Sequence, residues 1–355
     1  MKRKSQQKNP NKATEYYQSG LQNFYSGLFT LAVADFSDAI KFQPDYELAF
    51  YQRGMVYYVA QRYENAITDF TQSIRINPEN ALAYCHRGDA YRHLQCYDAS
   101  LADYSETIRL DPKSGDAYIN RGQIYTRMKQ YELAIADFTK IINDRLENIS
   151  IAYVNRAAIY ISLGQIGNAL YDLEQAIYLD SNIPDIYYNR ALAYEYLNDY
   201  ERALIDYTEV IARSPNDADV YYNRGNVYRK LQQYQNALSD YTKVLYIDVS
   251  FADAYVNRGL VYTAMGMNEQ AITDYTEALS IAPNDPATYV NRGGTYINLQ
   301  QFDKAFSDFA KAIELDSYFI PAYQNIIEVY KQLQQPEKAT PYIQKLQEMM
   351  PEEVE

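Results

Sequence analysis

The sequence predicts an all-α fold, a solenoid of ten helix–turn–helix hairpins. Three observations support this prediction: a short phrase recurs at a fixed period, each period contains two helical stretches, and proline recurs near the end of the period. The phrase reads A-Y-I-N-R-G-Q-I-Y at 117–125, V-Y-Y-N-R-G-N-V-Y at 220–228 and A-Y-V-N-R-G-L-V-Y at 254–262. Self-similarity at a period of about 20 to 50 residues is typical of repeat architectures, so the recurrence decides the fold class.

Ten repeat units fill most of the chain. Counting the first tyrosine of the phrase as the fourth place of a unit, we predict units that begin near residues 13, 47, 81, 115, 150, 184, 218, 252, 286 and 320. Their spacing is 34 residues, except for 35 between the units that begin at 115 and 150. Residues 1–12 are predicted to form a basic, disordered tail, and residues 13–355 a single array in which each repeat packs mainly on its neighbours.

Each unit is predicted to contain two helices. In the unit at 218–251, apolar and small residues recur at helical spacing on both sides of Leu231-Gln232-Gln233. The first run contains Val220, Tyr221, Gly225, Val227 and Tyr228, and the second contains Ala237, Leu238, Tyr241 and Val244. Proline occupies the thirty-second place of six units, where it should end the second helix: Pro44, Pro78, Pro112, Pro215, Pro283 and Pro351.

The order of these places is similar to that of one known repeat family. A large residue at the fourth place is followed by a small one at the eighth, Tyr at the eleventh, Ala at the twentieth, an aromatic ring at the twenty-fourth and Pro at the thirty-second. This pattern resembles the tetratricopeptide repeat, and the resemblance covers more than nine-tenths of the chain. It implies a right-handed superhelix whose first helices line a concave groove used in protein interaction.

The high aromatic content follows from the same frame. The chain has 40 Tyr, 12 Phe and no Trp. Tyr occupies the fourth place in nine units and the eleventh in nine, which predicts rings buried between helices with their hydroxyls at the rim. Glycine is common at the eighth place, although it costs about 1 kcal/mol relative to alanine inside a helix. We therefore expect close helix approach there, over alanines such as Ala237.

Charge and cysteine usage limit the partners and the compartment. The 33 Lys and Arg and 46 Asp and Glu give a net charge of −13, and residues 1–12 are basic without any acidic residue. An acidic body is a poor partner for phosphate backbones, so we expect no nucleic acid. The apolar runs are too short to span a bilayer, which predicts no membrane insertion.

Cys85 and Cys96 stand too far apart along one helix and its turn for a disulfide, and reduced thiols favour a cytoplasmic protein.

The sequence offers little for catalysis. It contains no phosphate-binding glycine loop and no G-x-S-x-G nucleophile motif. His86 and His93 are the only histidines, and their spacing of seven places the two imidazoles about 10 Å apart on a helix, too far to share a metal ion. Only Asp89 and His93, four apart, could share one. We expect no enzyme activity, no cofactor and no metal site.

Two charged columns coincide along the repeats. Arg occupies the seventh place and Asp the twenty-third place of the same eight units, and the two places should face each other across the hairpin. We predict structural ion pairs that fix helix register. The pairs are Arg53 with Asp69, Arg87 with Asp103, Arg121 with Asp137, Arg156 with Asp172, Arg190 with Asp206, Arg224 with Asp240, Arg258 with Asp274, and Arg292 with Asp308. The repeat family usually has an apolar residue at the seventh place.

A polar column at the sixth place is the candidate ligand-binding feature. It consists of Gln52, His86, Asn120, Asn155, Asn189, Asn223, Asn257 and Asn291. It resembles the asparagine ladder in the tetratricopeptide region of O-linked N-acetylglucosamine transferase, which implies capture of an extended peptide by its backbone. The alternative is that these residues bond neighbouring helices. Further candidates for the concave groove are Tyr188, Tyr222 and Asn226, with Arg92, Arg127, Arg229 and Lys230 as cations that could receive acidic side chains.

The function predicted from the sequence is that of a non-catalytic protein-interaction scaffold that binds a peptide or protein segment in its groove. The alternative is a self-assembling structural protein that oligomerises through its groove or its termini, since the basic residues 1–12 complement an acidic body.

Three finer expectations follow. The array should be irregular near residues 141–150, where the extra residue lies, with a change of superhelical pitch. The tenth unit should be a solubilising cap. Asn155, Asn189, Asn223 and Asn257 should act together on one extended ligand, with little effect on stability when they are replaced.

Overall fold

A computed structural model describes residues 9–349, and within that range the chain is a succession of helix hairpins. The first five hairpins comprise α1 (Pro10–Tyr25), α2 (Phe29–Phe42), α3 (Glu47–Val59), α4 (Tyr63–Ile76), α5 (Ala81–His93), α6 (Tyr97–Leu110), α7 (Gly115–Arg127), α8 (Tyr131–Asp144), α9 (Ile149–Ser162) and α10 (Ile166–Leu179). The other five comprise α11 (Pro184–Tyr196), α12 (Tyr200–Arg213), α13 (Ala218–Lys230), α14 (Tyr234–Ile247), α15 (Ala252–Ala264), α16 (Asn268–Ile281), α17 (Pro286–Asn298), α18 (Phe302–Leu315), α19 (Ile320–Gln332) and α20 (Pro336–Met349). The predicted all-α fold of tandem hairpins is confirmed.

The first helix begins earlier than the sequence prediction. Residues 10–12 were expected in a disordered tail, but α1 starts at Pro10. Asn9 caps this helix, because its side chain accepts a hydrogen bond from the Lys12 backbone N–H at 3.2 Å, and proline is well suited to the first helical turn. The remaining residues of the predicted tail, 1–8, lie outside the described part of the chain.

Glycine at the eighth place lets the two helices of a hairpin approach over an aromatic ring. A Cβ added to Gly225 would lie 2.9 Å from Cε1 of Tyr241, and one added to Gly293 would lie 2.5 Å from Cε1 of Phe309. Both distances are too short for non-bonded carbon atoms. The sequence prediction placed this close approach over alanines such as Ala237, which was wrong: the neighbour is the aromatic ring at the twenty-fourth place.

The turns follow one pattern. The fifteenth place of each unit has a positive φ, and only three of these ten residues are glycine. They are Gly27, Gln61, Gln95, Lys129, Gly164, Asn198, Gln232, Gly266, Gln300 and Gln334. Between units, Pro44, Pro78, Pro112, Pro215 and Pro283 lie two residues beyond the end of a second helix, as the thirty-second place predicted. Pro351 lies outside the described residues.

The chain divides into two compact units, one ending at Ile186 and the other beginning at Tyr187. Within each unit the first helices of successive hairpins contact one another, as α3 does with α5 and α13 with α15. Among residues 9–349, successive second helices make no comparable contact. The first helices therefore form a closely spaced inner layer of each unit, and the second helices form its outer layer. A single array over residues 13–355 stays a prediction.

The connection between the fourth and fifth hairpins differs from the others. Here Arg145, the residue that follows α8, has φ 54°, and Asn148 has φ 64°. The Leu146 N–H donates to the Ile141 carbonyl at 3.0 Å. Gly115 packs so closely on this loop that an added Cβ would lie 2.6 Å from the Glu147 carbonyl oxygen. The loop is locally irregular where the extra residue lies, whereas the expected change of pitch stays a prediction.

Candidate functional site

The eight Arg–Asp pairs have one geometry. In each hairpin the Arg Nε lies 2.7–2.8 Å from Asp Oδ2 and the Arg Nη2 lies 2.6–2.8 Å from Asp Oδ1, a bidentate pair. In the seventh hairpin the side chain of Arg224 is 15% exposed and that of Asp240 is 5% exposed. Burial raises the pKa of Asp240 even though the Arg224 guanidinium opposes that change. The partners therefore neutralise each other inside the hairpin.

The same arginines also connect neighbouring hairpins. In seven of the eight, Nη1 donates to a Ser or Thr hydroxyl on the second helix of the preceding hairpin, for example from Arg224 to Thr208 at 3.0 Å and from Arg258 to Thr242 at 3.2 Å. The Arg224 guanidinium also lies 5.7 Å from the ring centroids of Tyr221 and Tyr228. All three nitrogens of the guanidinium thus donate within the protein and two rings lie close to it, which fits a structural role.

The sixth-place column lies partly exposed on the inner layer, and its best-connected members are in the second compact unit. The Asn223 Nδ2 donates to the Tyr188 hydroxyl at 3.0 Å. The Asn257 Nδ2 donates to the Tyr222 hydroxyl at 2.8 Å and to Asn226 Oδ1 at 3.0 Å. These bonds join successive first helices. The column is therefore built into the packing of the layer while its side chains stay partly exposed.

Other members of the column have different partners. Asn120 Nδ2 donates to Asp89 Oδ1 at 3.0 Å, and Asn155 Nδ2 donates to the Ile151 carbonyl at 3.0 Å. His86 Nδ1 lies 2.8 Å from the Leu82 carbonyl and 3.2 Å from the Tyr51 hydroxyl. Gln52 bonds the Tyr17 hydroxyl. Asn189 and Asn291 are half-buried at the corresponding positions.

These contacts change one expectation from the sequence. Asn155, Asn189, Asn223 and Asn257 were expected to affect stability little, because their side chains would face only the groove. Asn223 and Asn257, and Asn120 of the same column, depart from this expectation. Each instead donates a hydrogen bond to the neighbouring first helix. Replacement by alanine should therefore also remove an inter-hairpin bond, worth about 0.5–1.5 kcal/mol.

Sequence reasoning missed the tyrosine hydroxyls of the twenty-fourth place, which was assigned to the core. The rings of Tyr104, Tyr207 and Tyr241 are fully buried, but their hydroxyls reach the first helix. They donate to Asp89 Oδ1 at 2.6 Å, Glu195 Oε1 at 2.7 Å and Asn226 Oδ1 at 2.8 Å, respectively. Burial raises the pKa of Tyr241 to about 12, so its hydroxyl keeps its proton at neutral pH. The signal available was that each of these three tyrosines shares its unit with Asp, Glu or Asn at the ninth or twelfth place of the first helix.

The candidate cations are less available than the sequence suggested. Lys230 Nζ lies 3.0 Å from Glu195 Oε2, so this ammonium has a partner within the protein. Arg92 lies 4.0 Å from Asp89 Oδ1 and bonds the Tyr104 hydroxyl. Arg229 bonds the Tyr241 hydroxyl, although its buried Nε has no hydrogen-bond partner among residues 9–349. Arg127 is exposed at the end of α7.

The histidines are engaged by aromatic rings. His93 stacks on Tyr63 with ring centroids 4.6 Å apart, and its Nε2 lies 3.2 Å from the Tyr58 hydroxyl. Within residues 9–349 no group of three or more His, Cys, Asp or Glu side chains could hold a metal ion. Over the same range, no helix is both long enough and apolar enough to cross a membrane.

Models of one repeat family match most of the chain. One, described as Tetratricopeptide repeat, matches residues 184–217, 218–251 and 252–285, and another with the same description matches residues 286–319. A third, described as TPR repeat, matches residues 56–95, 88–129 and 157–197. Together these matches cover more than half of the chain. A comparison with curated proteins gave no significant match.

Several solved structures are similar to parts of this chain. The crystal structure of PilW, a widely conserved type IV pilus biogenesis factor, is 19% identical with a TM-score of 0.54, covering 59% of this chain and 96% of that one. YrrB, described as a TPR protein with an unusual peptide-binding site, is 25% identical with a TM-score of 0.47, covering 53% and 96%. MamA is 23% identical with a TM-score of 0.45, covering 47% and 92%. The likeness to PilW supports the fold alone.

Proposed function

The chain belongs to the tetratricopeptide repeat family, and from that premise we propose that it is a non-catalytic interaction scaffold that binds an extended peptide or protein segment along its inner layer. In this family the repeats form a preformed surface whose stacked first helices present side chains at regular intervals. The proposal concerns each compact unit by itself, and the second, from Tyr187 onward, provides the clearest support.

The observation that carries the proposal is the paired column of amides and tyrosine hydroxyls in the second unit. Asn223 with Tyr188, and Asn257 with Tyr222, occupy equivalent positions one repeat apart. All four side chains are only partly buried. Because asparagine is a mediocre helix former, intrinsic helix propensity does not explain its recurrence at this place.

The hydrogen-bonding capacity left over in the pair of Asn223 and Tyr188 suits a peptide backbone, whereas Asn257 uses its Nδ2 on both Tyr222 and Asn226 and keeps only its carbonyl oxygen. An asparagine amide has two N–H donors and two acceptor lone pairs, and the inter-hairpin bonds of Asn223 occupy one donor. A second N–H and the carbonyl oxygen remain for a ligand. The Tyr188 hydroxyl, which accepts from Asn223, still has its own proton to donate. A donor and an acceptor side by side can pair with a peptide C=O and N–H without regard to the ligand's side chains.

A non-catalytic role agrees with how the charged groups are used. The Arg–Asp column is satisfied within and between hairpins, and His93 is held by tyrosine rings.

The proposal can be tested by selecting a ligand and mapping where it lies. Random dodecapeptides displayed on phage are selected against the full-length protein, and a selected peptide that carries a benzophenone group is crosslinked to it. We expect crosslinks on first helices such as α13, α15 and α17. Crosslinks confined to second helices would contradict the proposal.

Self-assembly is the second candidate, favoured by the basic residues 1–12 in a chain of net charge −13. Because α1 is capped by Asn9, the deletion that tests it should remove only residues 2–8 and leave the first hairpin intact. Light scattering at low salt would show a larger particle for the full-length chain than for the deletion variant if this tail joins copies. Equal masses would exclude that route.

A further inference from the structure

One pocket lies on the inner layer of the first compact unit. It lies between the start of α9 and the loop that precedes α11, and its volume is about 410 Å³. Ile151, Val154 and Ile183 form its apolar wall, and Asn155, Asp180 and Asp185 supply polar groups at its edge. All of these residues belong to the first compact unit. The volume falls within the range of about 300–1,000 Å³ that is usual for ligand pockets.

The pocket owes its shape to the irregular connection before the fifth hairpin. Asn148, the left-handed residue that precedes α9, and Ser150 in the first turn of that helix also line it. Asn148 is held in place because its Nδ2 donates to Asp116 Oδ1 at 2.7 Å. The irregular connection at the end of this 35-residue unit therefore contributes part of the pocket wall.

The polar edge of the pocket consists of oxygen acceptors. Asp180 and Asp185 are both exposed, and no Lys or Arg nitrogen lies within 4.0 Å of either carboxylate among residues 9–349. Asp180 Oδ1 accepts from the Asn182 backbone N–H at 2.9 Å, which leaves its other oxygen for a ligand. Asn155 uses its Nδ2 on its own helix, so its carbonyl oxygen is likewise available. Two uncompensated carboxylates beside an apolar wall complement a cation on an aliphatic stem.

We propose that this pocket binds the side chain of an arginine or lysine in the bound peptide, and this inference rests on the proposed peptide-binding function. The aliphatic stem packs on Ile151, Val154 and Ile183, and the guanidinium or ammonium group meets Asp180 and Asp185. The pocket then selects the side chain at one position of the peptide, whereas the other contacts recognise the peptide backbone. This specificity is the reverse of the acidic ligand side chains expected from the sequence, because the cations considered there are partly engaged within the protein.

The test uses capped single amino acids, which present the side chain without a longer peptide that would also contact the rest of the inner layer. Nα-acetyl-arginine methylamide and Nα-acetyl-lysine methylamide are titrated into the full-length protein with ¹³C-labelled isoleucine methyl groups, and Nα-acetyl-citrulline methylamide serves as the neutral isostere. The Ile151 and Ile183 signals are assigned by valine substitution. We expect saturable shifts of both signals with at least one cationic probe, at an affinity about fivefold or more above that for citrulline, as for loss of a partly exposed ion pair.

Matched variants locate the charge. Asp180→Asn combined with Asp185→Asn should weaken binding of the cationic probe about fivefold or more, whereas Glu174→Gln, exposed on α10 outside the pocket, should leave it unchanged. Thermal unfolding of each variant checks that the fold is kept. Equal affinities for citrulline and both cationic probes, or an affinity insensitive to the paired Asp variant, would overturn the proposal. If the pocket proposal fails but selected peptides still crosslink to first helices, the proposed peptide-binding function stands. If the cationic probes bind but no peptide crosslinks to first helices, the result supports the pocket alone.

Discussion

At the scale of single residues, the arginine of the seventh place packs against aromatic rings, as an apolar residue would, and also bonds the neighbouring hairpin. Arg224 lies close to the rings of Tyr221 and Tyr228, pairs with Asp240 and donates to Thr208 of the preceding hairpin. An apolar side chain could fill the same space without joining two hairpins. The column therefore links successive repeats as well as the two helices of each one.

Replacing Arg224 by alanine should destabilise the protein by about 3 kcal/mol, because Asp240 would be left buried without its partner. Thermal unfolding measures the effect, with Lys243→Ala on the neighbouring outer helix as a control of equal charge change. In a second variant, Arg224→Met is combined with Asp240→Leu, which should recover most of the loss because no charge then remains buried. A double variant no more stable than Arg224→Ala would contradict this assignment.

The two thiols should differ strongly in reactivity. Burial raises the pKa of Cys85 to about 12, whereas Cys96 is exposed. At pH 8 we expect iodoacetamide to modify Cys96 quickly and Cys85 more than about a hundredfold more slowly, since the thiolate is the nucleophile. Because its folded pKa is raised, the stability linked to Cys85 should be complete below about pH 8.5 and decrease as the pH rises towards 12. Rapid modification of a Cys96→Ser variant would show that Cys85 is accessible after all.

The sequence was informative about residues whose partners recur with them. Arg and Asp coincide in eight units, so their contact could be inferred from register alone. Partners that occur once could not be found in this way. Lys230 meets Glu195 from the preceding hairpin, and no column of like charges along the sequence marks this pair.

At the scale of the helix, the distance between the two helices of a hairpin depends on glycine at the eighth place. The glycine at the eighth place allows a ring from the second helix to rest on the backbone of the first. Gly293 and Gly294 are adjacent in α17 and differ in this respect, since nothing lies within 4 Å of a Cβ added to Gly294. This pair separates the packing effect from helix propensity.

We predict opposite effects for alanine at these two positions. Gly293→Ala should destabilise the protein by about 1–3 kcal/mol, as is usual for overpacking, because the new methyl group meets Phe309. Gly294→Ala should instead stabilise it by up to about 1 kcal/mol through helix propensity. Thermal unfolding of the two single variants decides between them. A shift of the same sign for both would mean that the close approach has no energetic consequence.

Helix boundaries were predictable where capping residues recur and less so at the chain's beginning. Asn80, Asp217 and Asp285 cap first helices by accepting hydrogen bonds from backbone N–H groups. The start of α1 was missed because the prediction counted units from the repeat frame, although Asn9-Pro10 is a good helix start in its own right.

At the scale of the molecule, each compact unit is built by stacking, so a terminal hairpin covers apolar surface of the one before it. In the tenth hairpin, Ala322, Ile326 and Val329 pack on the ninth around the fully buried Phe309 and Ala312. In its last helix, α20, the only buried residue within the described range is Ala339. This arrangement supports the proposal that the tenth hairpin is a cap.

Deletion of residues 320–355 should therefore cause aggregation before any loss of ligand specificity, because it uncovers Phe309 and its neighbours. Light scattering of the truncated chain measures this, and deletion of residues 350–355 alone is the control. A truncated chain that stays monomeric but no longer binds a selected peptide would show that the tenth hairpin belongs to the binding surface.

The central claim is that the inner layer binds an extended ligand through the sixth-place column, and one titration tests it directly. Asn189, Asn223, Asn257 and Asn291 of the second unit are replaced by alanine, singly and together, and a selected peptide is titrated by calorimetry. Asn236→Ala, on the outer helix α14, is the control. Each single inner-layer change should weaken binding by about 0.5–1.5 kcal/mol and the fourfold change by several kcal/mol, while the folded state persists at the titration temperature. A fourfold variant that is folded and binds the peptide like the wild type would contradict the claim.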